Sequence, residues 1–332
     1  MNQGRRQSTT VGLLIALVAA ASFGTSGALL KPLLESGWSP AAAVTFRALI
    51  GAALLLPFTI FALRGRWSAL WHARWRVLLM AVIGVAATQL VYITAITLVP
   101  ISTAILIEYM APLLLVAFAW MRTRRVPKVV VLVGSGVALV GLVLVVSPNG
   151  HGGINPFGLA FACLGAVGCA IYYVIAARPS EGLPPVALAG SGLVLGGIAL
   201  GLEGLTGVVP FAMRFGTVQM FGGTVPWWLP LVLVGVIGTG IAYAASITAS
   251  EILGSRLSSF MGLLEVIFAA LYAWLLLGQD LTVPQLLGGI LILGGIALVR
   301  AEKADNVPLE AVPLASEISA EREAIETAPA PQ

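Results

Sequence analysis

The stretch "IGVAATQLVYITAITLVPIS", residues 83–102, returns later in the chain as "IGTGIAYAASITASEILGSR", residues 237–256. The two stretches differ by a constant offset of 154 residues, which pairs Gly84 with Gly238. They contain no Lys and little charge, so each could lie in an apolar environment. The repetition raises the question of how much of the chain is duplicated.

The same offset holds on the C-terminal side of these stretches. It pairs Trp120 with Trp274, and it aligns "VGSGVALVGLVL" (133–144) with "LGGILILGGIAL" (287–298). One offset kept through three successive apolar segments, without a gap, is more than shared helical composition would give. The sequence therefore predicts two copies of one structural unit, with a weaker match in the first two segments of each copy.

The composition places both copies in a membrane. Of the 332 residues, 59% are hydrophobic and only 10% are charged, whereas a soluble domain carries about 25% charged residues. Apolar runs of about 20 residues fit a hydrocarbon layer about 30 Å thick. We number ten such segments 1 to 10 in chain order: 11–30, 41–63, 76–97, 101–121, 128–147, 156–177, 185–205, 227–248, 256–277 and 283–300.

The predicted fold is an all-α integral membrane protein with ten transmembrane helices. A unit of five helices is odd, so the second copy would enter the membrane from the opposite side, as in the inverted repeats of secondary transporters. The longest connection, 206–226, is broken by Gly and Pro and is expected to lie along one surface. The predicted organisation is a cytoplasmic N-terminus (1–10), a first five-helix repeat (11–147), a second one (156–300) and a disordered cytoplasmic tail (301–332).

The distribution of basic residues predicts the orientation. With the N-terminus inside, the inner loops hold nearly all of the Arg and Lys, and the outer loops hold only Lys31 and Arg214. This bias is typical of cytoplasmic loops. We therefore expect a multi-pass protein of the cell inner (plasma) membrane with both termini in the cytoplasm. Trp38 and Trp227 are expected in the outer interfacial belt of aromatic residues.

Several stretches resemble the drug/metabolite transporter superfamily, and specifically its EamA-type family. They are "TFRALIGAALLLP" in segment 2, "STAILIEYMAPLLLVAFAW" in segment 4, "GVIGTGIAY" in segment 8 and "LLEVIFAALYAWLLLGQDLTVPQLLGGILILGGIALV" in segments 9 and 10. The resemblance implies ten helices and the export or uptake of small metabolites, commonly driven by a proton or substrate gradient. The family often has Pro directly after the acidic residue of segment 9. This chain has Val266 there, so a milder helix break is expected.

Glu108 and Glu265 lie near the middle of segments 4 and 9. A carboxylate at the bilayer centre costs roughly 2.5–3.5 kcal/mol, so both side chains are expected to face a shared central cavity. By the offset of 154, Glu108 aligns with Gly262 and Glu265 with Ala111. Each carboxyl group could exchange a proton as the cavity changes sides, or pair with a substrate ammonium group. The alternative is a protonated side chain that only joins neighbouring helices.

Uncharged polar residues complete the predicted site. The candidates, which could orient a substrate or could simply join helices, are Gln89, Tyr92, Tyr109, Tyr172, Tyr173 and Tyr243. Arg47 lies about two turns into segment 2 from the outer face. It could extend its guanidinium to that interface, or it could balance a substrate carboxylate or Glu108.

The leading prediction is a secondary transporter, an exporter by preference, of small metabolites such as amino acids or amines. A membrane-embedded enzyme is the first alternative, but it would need a nucleophile with its base or metal ligands, and no His lies in a segment. A lipid-carrier flippase is the second alternative. No Walker A motif and no metal-ligand spacing occur, so no cofactor is expected. The expected partners are a small-molecule substrate, protons and membrane lipids, but not nucleic acid, for a monomer or homodimer.

Overall fold

The computed structural model describes residues 2–99, 104, 107–124, 126–146, 155–179, 182–207, 209–278 and 282–301. Within them the chain is mostly helical. The helices of the first half are Asn2–Glu35, Pro40–Ala62, Trp67–His72, Arg74–Leu79, Met80–Ala87 (a π-helix), Thr88–Leu98, Ala111–Thr123 and Val129–Val146. Those of the second half are Pro156–Ala176, Pro185–Thr206, Trp228–Gly235, Val236–Ile241 (a π-helix), Ala242–Leu253, Ser255–Gly262, Leu264–Leu277 and Val283–Ala301.

Seven helical stretches in the described residues are long and apolar enough to cross a membrane, and they occupy segments 1, 2, 3, 6, 7, 8 and 9. Segments 4, 5 and 10 contain shorter apolar helices, Ala111–Thr123, Val129–Leu144 and Leu286–Val299. The protein is therefore a multi-pass helical membrane protein. Part of segment 4 lies outside the described residues, as does the predicted tail after residue 301.

The first helix begins earlier than predicted. Segment 1 was expected to start at residue 11, after a separate N-terminal stretch, but the helix already begins at Asn2 and continues to Glu35. The part of this helix that qualifies as a membrane span is Thr9–Glu35. The polar residues before residue 11 thus extend the helix, because they contain no Pro to stop it.

Segments 5 and 10 pack against each other through glycine. A Cβ atom on Gly134 would lie 2.9 Å from the carbonyl oxygen of Gly295, and one on Gly141 would lie 2.6 Å from that of Gly288. The later residue of one helix thus meets the earlier residue of the other, so the two helices run antiparallel. Under the offset of 154, Gly134 corresponds to Gly288 and Gly141 to Gly295, so the two contacts are equivalent.

The other helix contacts likewise join segments of the first half to segments of the second half. Segment 1 packs against segments 8 and 9, and segment 6 packs against segments 3 and 4. Segment 2 packs against segment 7, its counterpart in the other half. The arrangement places segments 1, 3, 4, 6, 8 and 9 around the middle of the bundle, where Glu108 and Glu265 lie.

Segments 3 and 8 are each interrupted by a π-helix, which the sequence analysis did not predict. The π-helices are Met80–Ala87 and Val236–Ile241, and they overlap when the offset of 154 is applied. A threonine hydroxyl directly after the first π-helix and another within the second donate to the carbonyl oxygen five residues earlier: Thr88 to Ile83 at 2.6 Å and Thr239 to Val234 at 3.1 Å. These bonds satisfy carbonyl groups where the wider turn disturbs the α-helical pattern.

The connection between segments 7 and 8 contains a β-hairpin, so this part of the chain departs from the predicted all-α fold. Strand β1 (Thr217–Met220) pairs antiparallel with β2 (Gly223–Pro226). The two-residue turn, Phe221–Gly222, has φ values of 51° and 81°. Positive φ at both central residues is the geometry of tight hairpin turns. The turn thus allows this stretch, which is rich in Gly, to form two paired strands.

This connection is tied to the loop between segments 1 and 2. Ser39 caps the segment 2 helix, and its hydroxyl also accepts a hydrogen bond from the amide of Ala212 at 3.0 Å. The Trp38 indole donates to the carbonyl oxygen of Arg214 at 2.6 Å and stacks on Trp227 with ring centroids 5.5 Å apart. Trp38 is only 3% exposed. Its prediction as a lipid-interface residue was therefore wrong, because the connection covers it.

Candidate functional site

Segments 4 and 9 are both interrupted near their middle, beside the two carboxyl groups. In segment 4 the helix breaks at Tyr109–Met110 and resumes at Ala111. In segment 9 it breaks at Leu263 alone and resumes at Leu264. The offset of 154 aligns Tyr109 with Leu263, so the two breaks occupy equivalent positions.

Pro112 explains the stronger of the two breaks. It lies in the first turn of Ala111–Thr123, where a missing amide proton does least harm. Segment 9 has Val266 in the equivalent place, and its amide bonds the carbonyl oxygen of Leu263 at 3.2 Å. The shorter interruption in segment 9 agrees with the milder break expected there.

The helices that follow the breaks also end alike. Ala111–Thr123 is closed by Arg124 with φ 53°, and Leu264–Leu277 is closed by Gly278 with φ 65°. Left-handed residues commonly terminate helices. Arg124 and Gly278 are again 154 residues apart, so the correspondence of segments 4 and 9 extends from the break to the end of the helix.

Glu265 is hydrogen-bonded across the two halves. Its carboxyl group receives the hydroxyl of Tyr109, the residue that follows Glu108. Glu265 is half-buried and borders a cavity of about 20 Å³. On its other side, a Cβ on Gly24 of segment 1 would lie 3.1 Å from the Glu265 carbonyl oxygen. Gly24 thus lets segment 1 approach the helix that carries this carboxyl group.

Arg47 and the two carboxyl groups form one electrostatic group. Glu265 and Arg47 both act on Glu108, and Arg47 acts on Glu265. All three are half-buried. Among the described residues no ion pair within 4 Å joins Arg47 to either carboxyl group, since the one such pair is Lys31–Glu35 on the surface. Arg47 therefore acts electrostatically on both carboxyl groups without a direct ion pair to either.

The predicted polar residues surround this group. Tyr92 lies within electrostatic range of Glu108, Arg47 and Glu265. Gln89 is hydrogen-bonded to the hydroxyl of Tyr243. The structure thus brings Gln89, Tyr92 and Tyr243 to the same part of the bundle as the charged residues.

Tyr243 also belongs to a row of aromatic rings. Its ring lies 5.3 Å from Phe23 and 5.8 Å from Tyr172, and Tyr172 lies 5.2 Å from Tyr173. All three contacts are edge-to-face, the favourable geometry for aromatic pairs. The row joins segments 1, 8 and 6 and forms a rigid wall beside the carboxyl groups.

Three further residues belong to the cluster, and of these only Cys169 was not a predicted site residue. Tyr109 bonds Glu265, and Cys169 and Tyr173 lie within electrostatic range of both carboxyl groups. Cys169 and Tyr173 are four residues apart on one helix, so they share a face. That spacing was the available signal. The hydroxyl of Tyr173 also fills the space beside Gly262, the counterpart of Glu108.

The arrangement suits proton exchange or the binding of a small polar cation or zwitterion. Two carboxyl groups, one guanidinium group and several phenols are gathered in a half-buried region. No group of three or more His, Cys, Asp or Glu side chains that could hold a metal ion occurs in the described part of the chain. A separate cleft of about 590 Å³, lined by apolar residues and Thr248, lies between segments 1, 2, 7 and 8.

Comparison with known proteins places this site in a family. A model of the EamA-like transporter family matches residues 10–147 and again residues 156–301. The chain belongs to this family. The two matches of the EamA-like transporter family fall on the two halves described above.

Relatives of this EamA-like protein are also named as transporters. The chain is 26% identical over 308 residues to the "Uncharacterized inner membrane transporter YicL" of Salmonella typhimurium, covering 89% of this chain and 97% of that protein. It is 26% identical over 211 residues to an "Uncharacterized transporter" of Archaeoglobus fulgidus, covering 64% of this chain and 71% of that protein. The family and these names point to a transporter rather than an enzyme.

A solved crystal structure shares the fold. It matches with a TM-score of 0.69 at 21% sequence identity, over 89% of this chain and 99% of the other. At this identity the likeness supports the fold of the EamA-like protein and carries no information on its substrate.

Proposed function

We propose that this chain is a secondary active transporter that exports small metabolites, such as amino acids or amines, by alternating access coupled to protons. The observation that carries the proposal is the pair of carboxyl groups at matching helix breaks, with Arg47 beside them. Broken helices that meet between two repeats form the substrate and ion sites of many secondary transporters.

The proposal includes ten membrane-spanning helices in two inverted repeats. The antiparallel contacts of Gly134 with Gly295 and of Gly141 with Gly288 support it, since equivalent helices of inverted copies must run in opposite directions. The recurrence of the π-helix and of the break at one offset supports the duplication. In this arrangement both termini lie in the cytoplasm, as the basic loops predict.

Inversion explains why the two carboxyl groups are not at equivalent positions. Glu108 precedes its break, and Glu265 follows its own. Segments 4 and 9 would cross the membrane in opposite directions. A residue before the break in segment 4 and a residue after the break in segment 9 would therefore lie on the same side of the two breaks. The two acidic groups would then face each other at one depth, on the outer side of the breaks.

The charges of the site favour an amine or a zwitterion as substrate. Two carboxyl groups can bind an ammonium group, and Arg47 can bind a substrate carboxylate. A sugar phosphate would call for more cationic groups. The tyrosines supply aromatic faces that attract cations, which again suits an ammonium group.

Transport by reconstituted protein tests the proposal. Proteoliposomes would be offered amino acids, amines and sugars, with and without a pH gradient. We expect uptake of an amine or amino acid that depends on the gradient, and loss of that dependence in Glu108→Gln and Glu265→Gln. Glu203→Gln, at the end of the Pro185–Thr206 helix and away from the cluster, is the matched control. Gradient-driven uptake that survives in both site variants would refute proton coupling, and movement of lipid carriers alone would favour a flippase.

A further inference from the structure

A row of buried hydroxyl groups leads away from Glu265 and takes no part in the site proposed above. Ser250 is 0% exposed and Ser258 is 4% exposed. The Oγ atoms of both have no hydrogen-bond partner. A buried hydroxyl without a partner costs about 1–3 kcal/mol, and ordered water usually satisfies such groups. Two of them on either side of the turn at Gly254 therefore indicate a hydrated region.

The cavity beside Glu265 is the start of this region. It is bordered by Glu265, Ser246 and Ser258, and by small residues of segment 1 such as Ala16 and Ala20. Its volume of about 20 Å³ is enough for about one water molecule. The carboxyl group of Glu265 thus shares one small space with two serine side chains.

Helical spacing continues the row beyond the cavity. On segment 9, Ser258 and Gly262 are four residues apart and share one face, and both border the cavity with Glu265, which follows the break at Leu263. On segment 8, Ser246 and Ser250 are four residues apart and also share a face. The two helices pack against each other, Ser246 and Ser258 border the cavity between them, and Ser250 lies one turn beyond Ser246 on the same face.

Glu251 stands at the far end of the row. It lies in the last turn of Ala242–Leu253, and its Oε2 atom is buried without a hydrogen-bond partner. Arg256 follows in the next helix. In the proposed topology this is the cytoplasmic end of the bundle, so the row would connect Glu265 with the cytoplasm.

The first half of the chain shows that the fold does not need these hydroxyl groups. The offset of 154 aligns Ser250 with Ile96 and Ser258 with Ala104. It aligns Ser246 with Tyr92, so the first half keeps a hydroxyl group at that position but is apolar at the positions of Ser250 and Ser258. Ala104 lies in an apolar cluster with Ala95 and Val99. The serines are confined to the half, and to the side of Glu265, where a route to the cytoplasm would run.

We infer that Ser246, Ser250 and Ser258 line a hydrated path that carries protons between Glu265 and the cytoplasm, with Glu251 at its entrance. A proton leaves the Glu265 carboxyl group for water, and each hydroxyl or water then accepts one proton and releases another until Glu251 or bulk water takes it. The relaying hydroxyl groups and waters end with the protons they began with, so Glu265 loses one proton and Glu251 or bulk water gains it. The inference rests on the proposed role of Glu265 as the coupling carboxyl group.

The groups that face Glu265 limit other routes for this proton. Tyr109 is hydrogen-bonded to Glu265, and Arg47 acts on its charge. The phenols and thiol that Glu265 influences at longer range belong to Tyr92, Tyr172, Tyr173 and Cys169. Tyr173 borders the same cavity as Ser246 and Ser258, whereas Ser250 lies one helical turn beyond Ser246.

Thiol labelling tests whether the path is hydrated. Ser250→Cys and Ser258→Cys would be made in full-length protein that also carries Cys163→Ala and Cys169→Ala, and gel filtration would confirm that each variant folds. Inside-out vesicles would be treated with a small, positively charged, water-soluble methanethiosulfonate. Ser259→Cys is the matched control, because Ser259 is 2% exposed but donates its hydroxyl to the carbonyl oxygen of Arg256 at 2.7 Å.

We expect both path cysteines to react at least tenfold faster than the Ser259→Cys control. Equal rates at all three positions would overturn the inference. Labelling does not depend on coupling, so its failure would leave the proposed function standing. Gradient-driven uptake that survives in Glu265→Gln would instead remove the proposed function, whatever the labelling shows.

Exchange of the path residues for those of the first half gives a second test. The double variant Ser250→Ile, Ser258→Ala should reduce pH-gradient-driven uptake of the amino-acid panel at least fivefold, with Ser259→Ala close to wild type. Uptake equal to wild type in the double variant, together with loss in Glu265→Gln, would overturn the path and keep the coupling role of Glu265.

Discussion

Tyr109 of the first half is hydrogen-bonded to Glu265 of the second half. The bond joins the break of segment 4 to the carboxyl group that follows the break of segment 9. It thus links the two units at the point where alternating access would require them to move against each other. If the two halves moved apart, this bond would break and Glu265 would lose Tyr109 as its partner.

Tyr109→Phe should reduce gradient-driven transport by about tenfold while leaving the protein folded. A hydrogen bond to a charged group contributes about 1.5–3 kcal/mol, and 1.4 kcal/mol corresponds to a factor of ten. Initial transport rates in proteoliposomes measure the effect. Tyr272→Phe is the control, since Tyr272 is on the same helix as Glu265 but stacks on Phe268. Equal rates for both variants would show that the bond has no part in transport.

Arg47→Met should abolish transport of zwitterions and weaken that of simple amines much less. The variant removes the guanidinium group that acts on Glu108 and Glu265, and with it the proposed partner of a substrate carboxylate. Competition by paired compounds with and without a carboxylate measures the difference. Lys31→Met, which breaks only a surface pair with Glu35, should transport both classes normally. If Arg47→Met affects both classes equally, Arg47 supports the fold or the carboxyl groups rather than the substrate.

Gly295→Ala should destabilise the protein, and Gly294→Ala should not. A Cβ on Gly295 would lie 2.6 Å from the carbonyl oxygen of Gly134 and 2.7 Å from the Cβ of Ala138, whereas nothing lies within 4 Å of one on Gly294. Overpacking of this kind costs about 1–3 kcal/mol. Thermal unfolding in detergent should show a lower melting temperature for Gly295→Ala alone. Matching melting curves would mean that segments 5 and 10 do not make this contact.

Arg76→Met should loosen the end of segment 6. The Arg76 guanidinium donates to the carbonyl oxygens of Ile175 at 3.1 Å, Arg178 at 2.8 Å and Pro179 at 3.0 Å. These bonds join segment 3 to the C-terminal end of Pro156–Ala176, where carbonyl groups lack helical partners. The loss should be at least about 3 kcal/mol in stability, since each of these bonds to a charged group contributes about 1.5–3 kcal/mol.

The control for Arg76 is its neighbour Arg74, which is exposed and lies over the ring of Trp71. Arg74→Met should melt within about 2 °C of wild type, because surface substitutions of this kind change stability by less than about 0.5 kcal/mol. A similar melting temperature for both variants would contradict the role given to Arg76.

The sequence predicts the parts of this structure that depend on periodicity and on proline. Seven of the ten apolar segments hold helices long enough to cross a membrane, and the described parts of the other three hold shorter apolar helices. Pro112 marks the break beside Glu108. The two carboxyl groups come near each other, as the cost of exposing them to lipid requires. Each of these features is fixed by short-range chemistry or by burial.

The features that the sequence did not predict depend on contacts between distant residues. The π-helices rest on threonine hydroxyls that bond one residue further back than usual, and Thr is too common to signal this. Trp38 is buried because residues near 212–227 fold over it. Tyr109 meets Glu265 only once the halves have packed, so its position next to Glu108 gave the single hint.

The central claim is that Glu265 couples transport to protons, and the most direct test separates coupling from binding in one variant. Glu265→Gln vesicles would be assayed for accumulation of the identified amine or amino acid under a pH gradient, and for its exchange at equal pH and equal concentration on both sides. We expect exchange to continue and accumulation to be lost, because the variant still alternates but carries no proton. Accumulation equal to wild type under the gradient would contradict the claim.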